Sequence, residues 1–221
     1  ISGSAVDYLQ LRFFLDWRFA AKEELIYDKK YFPKREERQG VGMQIVSSGP
    51  DSRWSSIRNG YFKMINEAEK SVYIQTPYFV PDDSIIQALK VSALSGIDVK
   101  VIIPSKPDHP FVYWASLSYI GDLLQAGAKC YTYDKGFVHS KMVLVDGLMS
   151  SVGTGNMDIR SFKLNFEVNA FIYNRKTTEA LEQQFMKDLE ECTEITKETY
   201  SKRSAIVKFK ESVSRLLSPI L

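Results

Sequence analysis

Two hydrophobic periods follow one another through the middle of the chain and divide it into strands and helices. Short apolar or alternating runs typical of strands recur between segments whose apolar positions have the helical period. This alternation favours a sheet covered by helices. The predicted strands are 44–48, 71–76, 98–104 and 128–134, and the predicted helices between them are 54–69, 82–94 and 112–125. We therefore expect an α/β fold with a mixed, mostly parallel β-sheet flanked by helices.

The two ends of the chain depart from this pattern. An aromatic-rich helix is predicted from Val6 to Glu24, and the charged stretch from Asp28 to Gly42 has the composition of a linker or exposed loop. Residues 197–221 have the pattern of a basic amphipathic helix. The expected units are 1–42, a central domain at 43–195 and the C-terminal helix at 196–221. We expect the N-terminal helix to pack on the domain, with contact to lipid as the alternative. The C-terminal helix is expected to bury its apolar stripe against the domain or against a missing upstream half, again with contact to lipid as the alternative.

A hairpin is predicted after the last of these strands. Residues 137–145, with the sequence FVHSKMVLV, end directly before Asp146 and Gly147. Because Asp-Gly is favoured in two-residue hairpin turns, the turn defines a register for the two strands. The expected pairs are Val145 with Leu148, Lys141 with Val152, His139 with Thr154 and Phe137 with Asn156.

This register gathers polar side chains on one face, since opposed residues share a face and successive residues alternate. The polar face would hold His139, Lys141, Thr154 and Asn156. The other face would hold Ser140, Met142, Gly153 and Gly155. The glycines allow close backbone approach or mark a bulge, and a bulge would shift the far end of the register by one.

The next predicted strand, at 165–173, has a polar face near its start that includes Glu167. A carboxylate there can accept the second ring N–H of a histidine and fix its tautomer. The alternative is a solvated strand face.

The residue types on the polar face favour phosphate chemistry. A neutral imidazole such as that of His139 can attack phosphorus or carry a proton near neutral pH. Lys141 and Asn156 would stabilise negative charge on the non-bridging oxygens. The sequence has no carboxylate cluster or Cys/His pair with metal-ligand spacing, so neither a metal nor another cofactor is expected.

Five residues match a known pattern, an HxKxxxxD element followed by Gly-x-x-Asn: His139, Lys141, Asp146, Gly153 and Asn156. In this pattern the chain resembles the phospholipase D superfamily, which implies a phospholipase D-like domain. Longer stretches, covering nearly the whole chain, are similar to the C-terminal half of bacterial cardiolipin synthases. They include QIVSSGPD at 44–51, QTPYFVPDDSI at 75–85 and VGTGNMDIRSFKLNFEVN at 152–169.

The resemblance implies a reaction and a role for each residue. One phosphatidylglycerol would donate its phosphatidyl group through a phosphohistidine to another, giving cardiolipin and glycerol. As a second-motif residue, His139 would protonate the leaving group and deprotonate the acceptor alcohol. Lys141 and Asn156 would bind phosphate, and Glu167 would hydrogen-bond a catalytic histidine, either His139 or that of the other motif. Asp146 counts among the catalytic residues of the motif, yet its place in the turn gives it a structural task, which we favour.

Four further residues are candidates for substrate binding. Gly153 and Thr154 belong to the Gly-x-x-Asn segment. Tyr78 follows a predicted strand, where loops often carry binding residues, although its ring would serve equally well in the core. Arg160 lies shortly after the Gly-x-x-Asn segment and would meet phosphate there, with a solvated surface charge as the alternative.

The HxKxxxxD element occurs once, whereas the resemblance implies two such motifs at a pseudo-twofold axis. The chain is therefore expected to hold half of a site. Either the first motif lies in a missing N-terminal half, or two copies pair as a homodimer and bring two His139 side chains together.

The expected surroundings follow from the same resemblance. No apolar run of about 18 residues that would span a bilayer occurs, so upstream helices would hold the parent protein in the cell membrane. The domain is expected on the cytoplasmic side. Its expected partners are phosphatidylglycerol and an anionic membrane surface.

Two alternatives differ from this interpretation. One is another phosphodiesterase of the superfamily, a phospholipase or a nuclease, and the other is a non-enzymatic interaction module with a decayed site. The net charge of +2 comes with no clustered basic stripe outside the C-terminal segment, so nucleic acid is not expected as a partner. Because His139, Lys141 and Asn156 are all present, decay of the site is disfavoured.

Overall fold

The computed structural model describes residues 1–25, 28–34, 40–106 and 108–220. The α-helices are α1 (Ala5–Ala21), α2 (Ser56–Asn66), α3 (Asp83–Leu94), α4 (Pro110–Ala126), α5 (Ile159–Lys163), α6 (Arg175–Leu189), α7 (Lys197–Ser201) and α8 (Ala205–Leu217). The strands are β1 (Gly42–Ser48), β2 (Ser71–Gln75), β3 (Phe79–Val80), β4 (Asp98–Pro104), β5 (Lys129–Tyr133), β6 (Met142–Val145), β7 (Met149–Gly153), β8 (Met157–Asp158), β9 (Glu167–Tyr173) and β10 (Cys192–Ile195). The elements predicted between residues 44 and 134 are therefore present within a few residues of their expected bounds.

One eight-stranded sheet forms the centre of the domain, in the order β1-β9-β7-β6-β2-β4-β5-β10, and β3 and β8 form a separate pair. Strand β4 is parallel to both β2 and β5, whereas the other neighbouring pairs of the large sheet are antiparallel. By direction, β1, β2, β4, β5 and β7 run one way, and β6, β9 and β10 run the other. The mixed α/β fold is confirmed. Within the large sheet, direct parallel pairing is confined to the strands joined through α3 and α4, and the separate pair of β3 and β8 is also parallel.

Helices cover both faces of the sheet and bury two apolar clusters. The larger cluster lies between the sheet and α2, α3 and α4, and its fully buried side chains include Ile57, Ile74, Leu89, Val101 and Ile120. The smaller cluster includes Tyr73, Ile102, Met142 and Leu144, which pack with Phe185 of α6. Residues of β6 therefore alternate, because Val143 and Val145 belong to the larger cluster and Met142 and Leu144 to the smaller.

The hairpin between β6 and β7 has a three-residue connection instead of the expected two-residue turn. Asp146 and Gly147 both have positive φ, at 56° and 65°, as an Asp-Gly hairpin turn requires. The Leu148 N–H donates to the Val145 carbonyl at 2.9 Å and closes this turn. Leu148 is then an extra residue between the turn and the strand, so Val145 pairs with Met149.

That extra residue shifts the register by one. Met142 lies opposite Val152, and the Gly153 N–H donates to the Lys141 carbonyl at 3.3 Å. A shift of one residue exchanges the faces of a strand relative to its neighbour. The strand also begins at Met142, so residues 137–141 are irregular. The expected pairings of Lys141 with Val152, His139 with Thr154 and Phe137 with Asn156 are therefore wrong.

The terminal segments pack on the domain to different extents. Helix α1 contacts β1 but has no buried residue, and its Phe19 ring lies 5.3 Å from that of Phe166. The linker expected at 28–42 lies partly outside the described residues, and a short 3-10 helix forms at Lys29–Tyr31. The C-terminal segment is divided into α7 and α8, and α8 packs on α4 as expected. None of the described helices combines the length and apolar character needed to cross a bilayer.

Candidate active site

Lys141 is held in a buried position directly before β6. The residue is 8% exposed, and its Nζ donates to the His139 carbonyl oxygen at 2.8 Å. Burial lowers the pKa of this lysine, whereas three nearby negative charges oppose that shift: those of Glu167, Asp158 and Asp108. An ammonium group has three N–H donors, so Lys141 can bind an anionic ligand without losing this hydrogen bond.

Asn156 is hydrogen-bonded to one of these carboxylates. Its Nδ2 donates to Asp158 Oδ2 at 3.1 Å, and Asp158 also caps α5 by accepting the Ser161 N–H at 2.6 Å. Burial raises the pKa of Asp158, and the charge of Glu167 adds to the increase. Asn156 Oδ1 is buried and has no hydrogen-bond partner among the described residues. The second hydrogen on Nδ2 and the lone pairs of Oδ1 therefore remain for a ligand.

Glu167 lies buried at the first position of β9. Its Oε1 accepts from Ser161 Oγ at 3.0 Å and from Asn165 Nδ2 at 3.3 Å. The sequence left two candidate partners for Glu167, which are His139 and a histidine of the other motif. His139 is not hydrogen-bonded to Glu167 in the structure. Within the described ranges, no group of three or more His, Cys, Asp or Glu side chains is placed to hold a metal ion.

His139 lies exposed next to this cluster, joined to it by the bond from Lys141 to its carbonyl oxygen. Its ring is 6.0 Å from the Phe137 ring. The ring nitrogens make no hydrogen bond to any residue that the structure describes. An exposed imidazole of this kind can exchange a proton with a bound ligand.

Gly153 and Thr154 both contact β9. These contacts account for the two residue types without any role in substrate binding. Thr154 Oγ1 accepts the Val168 N–H at 2.9 Å, on an exposed surface. A Cβ at Gly153 would lie 2.3 Å from the Val168 carbonyl oxygen, so the close approach of β7 and β9 requires glycine here. The predicted grouping of Thr154 with Lys141 and Asn156 on one face is therefore wrong.

Asp146 lies at the other end of β6 from Lys141. Its carboxylate accepts the backbone N–H groups of Glu69, Lys70 and Ser71, each at 2.8 Å. These bonds join the β6–β7 hairpin to the segment between α2 and β2. The geometry supports the structural task that the turn position indicated.

A buried tyrosine supports the loop between β7 and β8. Tyr61 Oη donates to the Gly155 carbonyl at 3.0 Å and accepts from Asn169 Nδ2 at 2.8 Å. Asn169 Oδ1 in turn accepts the Gly155 N–H at 3.1 Å. Burial raises the pKa of Tyr61, so its hydroxyl remains a donor. The residue before Asn156 is thus fixed to the core of the domain.

A cavity of about 420 Å³ lies beside Asn156. Its lining includes the polar residues Tyr78, Asn156, Asp158 and Arg160 and the apolar residues Phe111 and Ile220. Two of the expected substrate-binding residues, Tyr78 and Arg160, therefore border this cavity. Its mixture of polar and apolar walls is suited to an amphipathic ligand.

Three residues near the cavity were not predicted from the sequence: Asp108, His109 and Asp158. The Tyr78 hydroxyl donates to Asp108, and the His109 ring lies edge-on to the Tyr78 ring at 6.0 Å. Burial raises the pKa of Tyr78, and the hydrogen bond to Asp108 adds to the increase. Asp158 could have been found as a helix cap. The contact of Tyr78 with Asp108 and His109 depends on the packing of β3 on α4, which no local pattern encodes.

Comparison with known proteins connects this arrangement to a family. Residues 61–189 match the family model described as cardiolipin synthase, PLD-like domain. The chain is 54% identical over 222 residues to a cardiolipin synthase of Listeria welshimeri and 53% identical to one of Staphylococcus aureus. These alignments cover 100% of this chain but 46% and 45% of the two relatives. The chain thus spans about half the length of the curated relatives it matches.

Solved structures share the fold. A phospholipase D family member, Nuc from Salmonella typhimurium, has a TM-score of 0.61 at 20% identity, covering 71% of this chain and 99% of Nuc. Phosphatidylserine synthase of Haemophilus influenzae has a TM-score of 0.63 at 16% identity, covering 81% of this chain and 48% of that one. Because the residues matched by the family model make up more than half of the chain, the chain belongs to this family, the PLD-like domains of cardiolipin synthases.

Proposed function

We propose that this chain supplies one half of the active site of a phosphatidyltransferase that makes cardiolipin. One phosphatidylglycerol donates its phosphatidyl group to a glycerol hydroxyl of a second, and glycerol leaves. The observation that carries the proposal is the convergence of Lys141 and Asn156 on Asp158, beside an exposed His139. The names of the two relatives, which are 54% and 53% identical to this chain, support the substrate class.

Lys141 and Asn156 act on the phosphate in this mechanism. Negative charge grows on the non-bridging oxygens as a nucleophile attacks phosphorus, and a buried ammonium and amide stabilise it more strongly than water does. Burial disfavours the charged form of Lys141, and the negative charge of a bound phosphate adds to that of the nearby carboxylates in favouring it.

His139 acts as the acid and then as the base. A second histidine attacks phosphorus, and His139 donates a proton to the departing glycerol oxygen as its bond to phosphorus breaks. The hydroxyl of the second phosphatidylglycerol then gives its proton to His139. Its oxygen bonds to phosphorus as the phosphohistidine bond breaks, which restores both histidines.

The attacking histidine comes from outside this copy of the chain, since the HxKxxxxD element occurs once in it. Its sources are the other half of a protein of the relatives' length or a second copy in a homodimer. We favour the first source because the relatives are about twice as long as this chain. In either case Glu167, which does not bind His139, is the acceptor for a ring N–H of the incoming histidine. The reaction takes place at the cytoplasmic surface of the cell membrane.

A chimera tests this function. The chain replaces the 46% of the Listeria welshimeri enzyme to which it aligns. The chimera should convert labelled phosphatidylglycerol into cardiolipin and glycerol in the presence of a chelator. His139→Ala should lower the rate by about 10²–10⁴-fold, the contribution typical of a general acid–base.

A neighbouring substitution controls for the fold. Ser140 Oγ donates to Gln75 Oε1 at 2.7 Å, and Gln75 Nε2 donates to Asp188 of α6. Because the Ser140 side chain lies toward α6, Ser140→Ala should leave turnover near the parental rate. Parental turnover by the His139→Ala chimera would remove this residue from the mechanism.

A further inference from the structure

Helix α8 and the 3-10 turn after it (Ser218–Ile220) are docked on the domain by their polar side. The buried positions are Glu211, Ser214 and Ser218. The outward positions form a stripe of large apolar residues, here named the outward stripe: Ile206, Phe209, Leu216 and Ile220. Phe209 is 70% and Leu216 is 81% exposed. An amphipathic helix of a globular domain normally has the opposite orientation, with its apolar side buried.

Polar contacts to α4 fix this orientation. Arg215 Nη2 donates to Asp122 at 2.7 Å, and its guanidinium lies 4.0 Å from the centre of the Tyr119 ring. The Tyr119 and Ser218 hydroxyls are hydrogen-bonded at 3.1 Å. Turning the helix to bury the outward stripe would break all three contacts, so the stripe faces outward as a stable feature of the domain.

The charges next to the outward stripe are positive. Lys202, Arg203 and Arg215 form ion pairs with acidic residues. Lys208 and Lys210 are exposed and have no ion pair in the part of the chain that the structure describes. Lys210 Nζ also lies 5.2 Å from the centre of the Trp114 ring on α4. An apolar stripe accompanied by exposed lysines without ion pairs matches the surface of an anionic bilayer, with its acyl chains beneath negative headgroups.

The outward stripe also reaches the cavity of the candidate active site. Ile220, its last residue, lines the cavity together with Phe111 of α4, and both side chains are largely exposed. Asn156 lines the same cavity. A phosphodiester held at Asn156 therefore has an apolar exit past Phe111 and Ile220, toward the stripe.

We propose that the outward stripe and Phe111 lie in the interface of an anionic bilayer. The apolar side chains enter the acyl boundary, and Lys208 and Lys210 contact the headgroups. The cavity then opens at the bilayer surface, so a lipid can bring its phosphate to Asn156 while its acyl chains stay in the membrane. The identity of the lipid in the cavity rests on the proposed function, whereas docking itself requires no turnover.

Flotation of the full 221-residue chain with vesicles tests the docking. The chain should bind phosphatidylcholine vesicles that contain phosphatidylglycerol more strongly than vesicles of phosphatidylcholine alone. Phe209→Ser combined with Leu216→Ser should weaken binding by about tenfold or more, because both side chains lose apolar burial. Lys208→Glu combined with Lys210→Glu should remove the preference for phosphatidylglycerol.

A matched control removes two exposed apolar side chains elsewhere. Val91 and Leu94 lie on α3, are exposed, and do not line the cavity. Val91→Ser combined with Leu94→Ser should leave vesicle binding unchanged. Circular dichroism melting of all variants confirms that the exposed substitutions leave the domain folded.

Several outcomes would overturn the proposal. One is equal vesicle binding by the Phe209→Ser/Leu216→Ser variant and the unmodified chain, and another is the absence of binding by the unmodified chain. If a second copy covers the stripe, sedimentation shows a dimer that this variant dissociates, with vesicle binding unaffected. If the other half of a longer protein covers it, the variant lowers the melting temperature of the chimera instead.

These experiments distinguish a failure of membrane docking from a failure of the proposed reaction. His139→Ala should float with vesicles as the unmodified chain does. Its loss of turnover in the chimera therefore reports on the reaction alone.

Discussion

Two parts of one sequence motif lie at the two ends of β6. The polar groups at these ends differ in how fully they are hydrogen-bonded within the chain. At one end, every hydrogen bond of Asp146 described above joins it to a backbone N–H group of residues 69–71. At the other end, burial disfavours the charged forms of Lys141 and Asp158, and Asn156 Oδ1 has no partner in the described chain. The first end stabilises the fold, and we propose that the second binds a charged ligand. Residues of one motif thus have separate physical tasks.

The largest difference between the two ends should appear in turnover when Lys141 is replaced. Lys141→Met in the chimera should lower the rate by about 10²–10³-fold, since one charge-stabilising donor is lost from the transition state. Thermal melting of the isolated chain should show a smaller loss of stability than Asp146→Ala does, because the loss of one hydrogen bond is offset by removal of a charge that burial disfavours. A variant that keeps its rate but melts early would reverse the assignment of the two ends.

Replacement of Asp146 should have the opposite profile. Asp146→Ala leaves three backbone N–H groups without their acceptor and should lower the free energy of unfolding by about 2–3 kcal/mol. This corresponds to a fall of about 5–10 °C in the melting temperature of a domain of this size. At a temperature where the variant is still folded, its turnover in the chimera should be near the parental rate. An inactive but fully stable variant would instead show a role in the reaction.

Asp158→Asn should separate activity from stability at the catalytic end. The carboxylate orients Asn156 by accepting from Nδ2, and an amide at position 158 allows Asn156 to turn its oxygen toward the phosphate. Turnover should fall by about tenfold or more, as it does when a positioned group is displaced. The melting temperature near pH 7 should be higher, because a buried charge is removed.

The stability of this variant should also depend on pH in a defined direction. The pKa of Asp158 in the folded chain is raised above its ordinary value of 3.8. Its contribution to stability is therefore fully present below pH 3.8 and is lost as the pH rises through the folded-state pKa. The advantage of Asp158→Asn should accordingly be visible at pH 7 and shrink as the pH falls toward 4. Urea titrations of both proteins across this range measure it, and a constant advantage would contradict the role of burial.

The smallest effect is expected for Thr154, which precedes Asn156 by two positions but forms its hydrogen bond with β9. Thr154→Val removes the acceptor of the Val168 N–H and should cost about 1 kcal/mol of stability, or about 2–4 °C. Turnover in the chimera should be unchanged. If turnover falls by more than the change in stability can account for, Thr154 takes part in binding the phosphate.

Much of the fold could be predicted because each element carries its own period. The segment 98–104 has the predicted bounds of its strand, and the helix predicted at 82–94 differs from α3 by one residue. The hairpin register could not be predicted as well, since the Asp-Gly dipeptide determines the turn but not the extra residue, Leu148, that follows it. One added residue reverses which face of the sheet each side chain of the second strand points to. The two-residue turn therefore placed Thr154 on the wrong face.

The orientation of α8 illustrates a second limit. The amphipathic pattern predicted contact with the domain but placed the apolar side inward, whereas Arg215 and its partners on α4 hold the polar side there. The boundary between α7 and α8 could have been predicted from Ser204, whose hydroxyl caps α8 by accepting the Val207 N–H. At the candidate site, spacing alone predicted Lys141 and Asn156, whereas the contact of Asp108 with Tyr78 depends on packing between distant elements.

The bonds from Tyr61 to the loop before Asn156 have a consequence for dynamics. Tyr61 is fully buried in α2, and the Gly155 N–H is held by Asn169, which Tyr61 also binds. Opening this loop would break the packing of α2 on the sheet, so the loop has no separate low-energy route to solvent. Exchange of the Gly155 amide hydrogen with heavy water should therefore be as slow as that of the core strands, and governed by unfolding of the whole domain.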